Sequence, residues 1–236
     1  MNNLIKFTNT FGLPEEYKPQ PSSKFIPDWY KNLESYMGAE KKPDGQAFTT
    51  STAKRCMPIF DAIDFGYIIS THSDIWVSQK LDEDGEYQQH YEWASFNAIE
   101  FHPKKQLPEH PDGAGHKVSY PKWINSWAIK TPPGYSTLFV SPLHRENQII
   151  ILPGVVDTDT YISPVNFPFV LRDPKMEGLI PAGTPIVQVI PFKRDMWEMA
   201  IGTKEDQEEQ TQIVKKLRIK FFDSYKTQFR QLKEYK

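Results

Sequence analysis

The stretch that decides the fold runs from Gly154 to Arg194. It reads G-V-V-D-T-D-T-Y-I-S-P-V-N-F-P-F-V-L over 154–171 and, after a short charged break, G-L-I-P-A-G-T-P-I-V-Q-V-I-P-F-K-R over 178–194. β-Branched and aromatic residues fill it in short runs, and Gly, Pro, Asp and Asn punctuate them. This pattern predicts a strand ending in Gly154–Asp157, a bend over Thr158–Thr160, and strands over Val165–Leu171 and Ile186–Phe192. Pro181-Ala182-Gly183 is expected to turn into the last of these. Two carboxylates, Asp157 and Asp159, stand in the bend, where such residues commonly close an Asx-turn.

Outward from this stretch the strand signals continue. Tyr135–Val140 and Gln148–Leu152 precede it, and Pro132-Pro133-Gly134 turns out of the run W-I-N-S-W-A-I-K-T, residues 123–131. Earlier strands are expected over Ile59–Ser70, Asp74–Gln79, Tyr87–Trp93 and Phe96–His102, with a hairpin turn at Asp82–Glu86 centred on Asp84-Gly85. Residues 103–117 read as a long loop. Short strands at this spacing suggest a sandwich, jelly roll or distorted barrel. Trp93, Trp123 and Trp127 are read as core residues rather than a base-stacking platform.

The flanks differ. Residues 1–50 read as an arm interrupted by Pro14, Pro19, Pro21 and Pro27, with one short helix over Asp28–Met37 capped by Asp28. From Thr203 the period becomes helical. Thr203 is expected to cap the helix with Asp206 three residues on, and Val214, Leu217, Phe221, Tyr225, Phe229, Leu232 and Tyr235 form one apolar stripe. A single helix over 203–236 follows, its basic flank read as a solvated face. Between these flanks, 51–202 is the β body.

Composition narrows the function classes. The chain has 236 residues, twenty of them proline, and a formal charge of -2, so it offers no general field for polyanions. No specific nucleic-acid signal is present. The single cysteine, Cys56, excludes an internal disulfide and a cysteine zinc cluster. No run approaches 18 apolar residues and the first ten carry no signal-peptide core, so a cytoplasmic setting, or a virion, is expected rather than a membrane.

The segment G-V-V-D-T-D-T-Y resembles the third motif of the trimeric dUTPases and their dCTP deaminase relatives, and I-P-A-G-T-P-I-V-Q-V-I resembles their fourth. The resemblance spans about 40 residues. It implies an antiparallel β-clip, or distorted jelly roll, and self-association, as a trimer by analogy. It also implies that Asp157 activates a water, that Tyr161 stacks under a deoxyribose and that Gln188 lies on the phosphate side, with magnesium as the cofactor of such a reaction. Four departures accompany it. Tyr161 follows Asp157 by four residues, one more than in the family. S-P-L-H-R, Ser141–Arg145, replaces the phosphate-binding motif, leaving His144 and Arg145 as candidate ligand residues. D-F-G-Y-I-I-S, residues 64–70, has Ile68 where the family carries a metal-side Asp, and the C-terminal helix replaces a glycine-rich lid. The P-P-G-Y-S-T-L-F-V-S-P-L-H-R run and F-I-P-D-W-Y-K also resemble a protein family of tailed phages, cyanophages in particular, a likeness that implies no reaction.

Three function classes result. The departures favour a phage-encoded binding or structural module without catalysis and without a cofactor. Asp157, Asp159, Tyr161 and Gln188 favour a nucleotide-binding or nucleoside triphosphate-hydrolysing protein. The third is a non-haem iron enzyme, from His72-Ser73-Asp74 with a distant histidine such as His144, His102 or His116.

Overall fold

The run P-I-V-Q-V-I-P-F-K at 185–193 forms the longest strand of a β-rich chain, and Ile186 to Ile190 are buried on both its faces. A strand buried on both sides reads as a continuous apolar run instead of alternating. The computed structural model describes all residues except 1–2, 39, 42–46, 49, 82, 84, 86, 104–105, 107–109, 111–118 and 220–223. Asp84, His116 and most of the 103–117 loop therefore lie outside the described residues.

In chain order the elements are β1 (Lys6–Asn9), β2 (Gln20–Pro21), α1 (Asp28–Asn32), β3 (Glu40–Lys41), β4 (Ala47–Phe48), α2 (Met57–Asp64), β5 (Tyr67–Ser70), β6 (Ile75–Leu81), β7 (Tyr87–Trp93) and β8 (Ile99–Pro103). There follow β9 (Ser119–Trp123), β10 (Trp127–Lys130), β11 (Tyr135–Val140), β12 (Ile149–Ile151), β13 (Gly154–Val156), β14 (Phe167–Leu171), β15 (Gly178–Ile180), β16 (Pro185–Lys193), α3 (Lys204–Ile219) and α4 (Ser224–Gln228). The chain forms two units.

The first unit comprises Met1–Phe25, Phe65–Arg194 and Tyr235–Lys236. Its sheets are antiparallel, in the orders β13-β11-β16-β5-β2, β12-β14-β9-β8, β15-β6-β7 and β1-β10. One core joins them. Tyr67, Phe139, Val187 and Val189 come from the five-stranded sheet, Trp123, Phe167 and Phe169 from the four-stranded sheet, and Ile75, Tyr91 and Ile180 from the three-stranded one. Trp123 and Trp127 are buried there, and Trp93 packs against this core. Pro191 is accommodated in β16 because β5 pairs only with Pro185–Val189, leaving that side of the strand open beyond.

Several expectations are corrected. The N-terminal segment also supplies strands that were not expected of it: β1 pairs with β10, β2 extends the five-stranded sheet, and Phe7 packs edge-on against Tyr67 at 5.2 Å. The expected strand at Ile59–Ser70 is a helix followed by a short strand. Pro58 sits in the first helical turn, where its missing N–H costs nothing, and Phe60 and Ile63 recur at helical spacing. The 123–131 run splits because the Asn125 side chain turns the chain, donating to Trp127 O at 2.8 Å and accepting from Trp127 N at 3.1 Å.

The second unit comprises Ile26–Asp64 and Asp195–Glu234. Tyr30 is buried, stacks on Phe60 at 5.8 Å, and bonds Lys54 O through its hydroxyl at 3.1 Å. α1 follows Pro27 and ends at Asn32, so Asp28 is its first residue rather than its cap. Thr203 does cap α3: its hydroxyl accepts from Asp206 N at 3.3 Å, and Asp206 Oδ2 accepts from Thr203 N at 2.6 Å. The single helix expected to 236 is not formed. Phe229 N and Arg230 N both donate to Tyr225 O, closing α4, and Asp61 then takes Arg230 at 2.6 Å and Lys233 at 3.0 Å. These two cations are thus ion-paired, not a free solvated flank. Burial works against ionisation of Asp61, but the bonds from Arg230 and Lys233 outweigh it and hold its carboxyl below the ordinary range. Among the described residues no helix is long and apolar enough to cross a membrane.

Candidate functional site

Three segments of the first unit meet at one end of the β11–β16 ladder. The turn before β11 supplies Gly134, β11 supplies Ser136, the bend after β13 supplies Asp157 and Asp159, and the residue after β16 is Arg194. Gly134 has φ 82, a left-handed conformation suited to glycine in the P-P-G turn. Its N–H donates to Asp159 Oδ2 at 2.8 Å, and its carbonyl accepts from Arg194 N at 2.8 Å. Beneath the bend the buried hydroxyls of Thr131, Thr158 and Thr137 form a chain with 2.8 Å steps.

Arg194 joins the acids. Nη1 lies 2.9 Å from Asp159 Oδ1 and Nη2 lies 2.5 Å from Asp159 Oδ2, a fork on one carboxylate. Nη1 also lies 3.1 Å from Asp157 Oδ1, which accepts from Ser136 Oγ at 2.6 Å. The Arg194 bond, seconded by Gly134 N–H, holds the Asp159 carboxyl down to about 2. The same contact raises the Arg194 guanidinium above its ordinary value. Asp157 is the open member, its side chain 62% exposed against 7% for Asp159. Tyr161 is half exposed, and its N–H bonds Asp157 O at 2.8 Å, so the bend brings Asp157 and Tyr161 together.

The remaining sequence-predicted residues lie at the other end of the ladder. Tyr135 pairs with Lys193 at the Asp157 end and Val140 with Gln188 at the other, five residues away, about 17 Å along a strand. Gln188 is fully buried. Its Oε1 accepts from Leu143 N at 2.8 Å and its Nε2 donates to Phe65 O at 2.6 Å. His144 takes φ 55 in the turn after β11. Arg145 donates to Phe25 O at 2.9 Å, Ser22 O at 3.1 Å and Leu143 O at 3.3 Å, tying that turn to the N-terminal segment.

Beside β13, a cleft of about 290 Å³ opens between the five- and four-stranded sheets, lined mainly by Phe139, Leu152, Val156, Val165 and Phe167. His72 is buried against Trp123, ring centroids 4.5 Å apart, and Asp74 Oδ1 accepts from Ala182 N at 2.7 Å. Among the described residues no three His, Cys, Asp or Glu side chains are grouped as ligands of a metal ion.

The sequence reading singled out the acids and missed Arg194 and Ser136. Arg194 stands 35 residues from Asp159 and Ser136 21 from Asp157, so no local spacing links them. The usable signal is the strand order, which returns β16 antiparallel to β11. Compared with protein-family profiles, curated proteins and solved structures, the chain matches none of them.

Proposed function

We propose that the protein is a phage-encoded binding or structural module without catalysis, built on a jelly-roll or β-clip-like body. The observation that carries this reading is the separation of Asp157 from Gln188 by the length of the β11–β16 ladder. A water-activating carboxylate and a phosphate-side amide must serve one phosphate group, within hydrogen-bond reach of the reacting atoms. Here the Gln188 amide is spent inside the sheet at both ends, and Arg145, in the turn whose Leu143 N–H bonds Gln188, is spent on backbone carbonyls. Arg194, at the Asp157 end, is forked onto Asp159. Asp157 and Asp159 stand against Arg194 and the adjacent Lys193, so that end has no excess positive charge for a triphosphate.

The second reading, a nucleotide-directed protein with Asp157 as base and magnesium as cofactor, draws on the adjacency of Asp157 and Tyr161. Titrating dUTP and dCTP with magnesium, while following melting temperature and pyrophosphate release, separates the two. Neither a shift nor release is expected. Release that disappears in Asp157→Asn would overturn the proposal. Self-association belongs to the same reading, with the trimer implied by the dUTPase resemblance as one form it can take.

A further inference from the structure

The five-stranded sheet stops at β13, and it stops with main-chain groups open. Arg194 N donates to Gly134 O at 2.8 Å, and the register continues from there. Even-numbered residues of β11 therefore bond β16, and the odd-numbered ones bond β13. Thr137 and Phe139 thus exchange bonds with Val156 and Gly154. Val155, opposite Leu138, turns its N–H and C=O away from the sheet, and neither group has a partner among the described residues. The Val155 side chain is exposed as well. An edge of this kind is a template for another strand. Pro153, just before β13, has no N–H, which confines the edge to a short stretch and limits where an added strand can sit.

Two features beside the edge say what such a strand carries. Gly154 and Val156 lie on the inner face of the sheet, and both line the cleft between the sheets, with Phe139, Val165 and Phe167. Its 290 Å³ has room for a leucine or phenylalanine side chain. Only an antiparallel strand lets one residue meet both open groups of Val155. The residues before and after that one then point into the cleft. Asp157 shares the other face with Val155, where Ser136 Oγ bonds its Oδ1 at 2.6 Å. Its Oδ2 has no partner among the described residues, and Arg194, forked onto Asp159, is not free to neutralise it. An open carboxylate there suits a cation two residues before the one opposite Val155.

We infer that β13 is a strand-addition site for an extended segment of another protein, paired antiparallel to Val155, with apolar side chains in the cleft and an arginine or lysine over Asp157. Main-chain bonds hold such a segment, while the cleft and the carboxylate select its sequence. The inference rests on the binding-module reading above and names the partner of that module.

Fluorescence anisotropy on the full chain tests it. The probes are dye-labelled heptapeptides Ser-Arg-X-Thr-X-Thr-Ser-amide, with X leucine, phenylalanine, methionine or valine. The central threonine is placed opposite Val155, X on the cleft and arginine over Asp157. At least one peptide should bind with a Kd of about 10–100 μM. N-methylation of the central threonine nitrogen leaves the protein untouched and should weaken binding about tenfold. Val155→Pro, which removes an N–H that the sheet does not use, should do the same, with circular dichroism checking its fold. Asp157→Lys should weaken the arginine peptide about tenfold and favour the peptide with glutamate in its place. No binding by any peptide up to about 1 mM, or binding indifferent to N-methylation and to Asp157→Lys, would overturn the inference. So would a dimer, seen by sedimentation, that Val155→Pro dissociates, since a second copy would then hold the edge. The nucleotide titration decides the underlying reading separately. Absent peptide binding without pyrophosphate release sinks this inference alone, whereas release lost in Asp157→Asn sinks the reading beneath it.

Discussion

Arg194 grips Asp159 through both terminal nitrogens, Nη1 on Oδ1 and Nη2 on Oδ2, while Gly134 N–H holds Oδ2 from the other side. The grip pins the end of β16 to the bend after β13 and to the turn before β11.

Removing it should loosen this corner of the fold. Asp159→Asn keeps the shape of the side chain but loses the charge that the fork requires. A fall in melting temperature of about 2–4 °C at pH 7 is expected, and Arg194→Lys should behave similarly, since a single ammonium cannot make the fork. The pH dependence has a definite sign. The folded Asp159 carboxyl lies at about 2 and its ordinary value is 3.8, so its contribution is complete above about 4 and is lost as pH falls through 2. Thermal melts of both proteins should therefore converge between pH 4 and pH 2. A constant gap across that window would mean that the ion pair is not what Asp159 contributes.

Gln188 provides a test between a ligand role and a structural one. Its amide satisfies Leu143 N–H and Phe65 C=O from within the sheet. Gln188→Leu fits the volume but strands both backbone groups, each costing about 1–3 kcal/mol when buried and unbonded. A loss of about 2–4 kcal/mol in urea denaturation is expected. If Gln188 faced a ligand instead, stability would hold and only binding would fall.

How far the sequence led can be judged from these residues. The boundaries of β7 and β11 were legible, because alternation and flanking turn residues act locally. The Thr203 cap was legible for the same reason. α2 was not: M-P-I-F-D-A-I-D is short and apolar enough to fit either period, and Pro58 at its start was the deciding cue. Asp157, Asp159 and Tyr161 were found together because they share one bend. Gln188 was grouped with them through a resemblance, yet its distance along the ladder follows from the pairing of β11 with β16, which no local pattern encodes. The C-terminal stripe failed where Asp61, some 170 residues away, captures Arg230 and Lys233.

His72 predicts a second, separate pH window. Its ring is buried against Trp123 and Phe96, its Nε2 has no hydrogen-bond partner among the described residues, and burial lowers its pKa from 6.5 to about 4. The unfolded chain takes up the proton first as pH falls. Stability is therefore complete above about 6.5, declines between 6.5 and 4, and is level below. A fall from 6.5 to about 4 corresponds to roughly 3 kcal/mol at most. His72→Phe keeps a ring in the site and removes the titration, so its stability should stay flat from pH 7 to pH 4. A variant as pH-sensitive as the native protein would assign the effect to another group.

Gly66, the third residue of D-F-G-Y, stands immediately before β5 enters the five-stranded sheet, and it is the glycine whose replacement should cost most. Its φ is +75, and a Cβ built there would lie 2.1 Å from the carbonyl oxygen of Val189, a backbone atom of β16 that cannot swing aside. The same glycine's carbonyl accepts from Ser22 N at 3.0 Å, so a shift that relieved the clash would also pull on β2. Gly183→Ala is the control: its φ of +85 carries the same left-handed penalty, about 1–2 kcal/mol, but nothing lies within 4 Å of the added atom. Gly66→Ala should therefore lose several kcal/mol more than Gly183→Ala, enough to unfold the first unit or leave it insoluble on expression. Equal losses for the two variants, measured by chemical denaturation, would mean that β16 can move away from Gly66. The close packing of β5 on β16 would then not be what fixes the glycine.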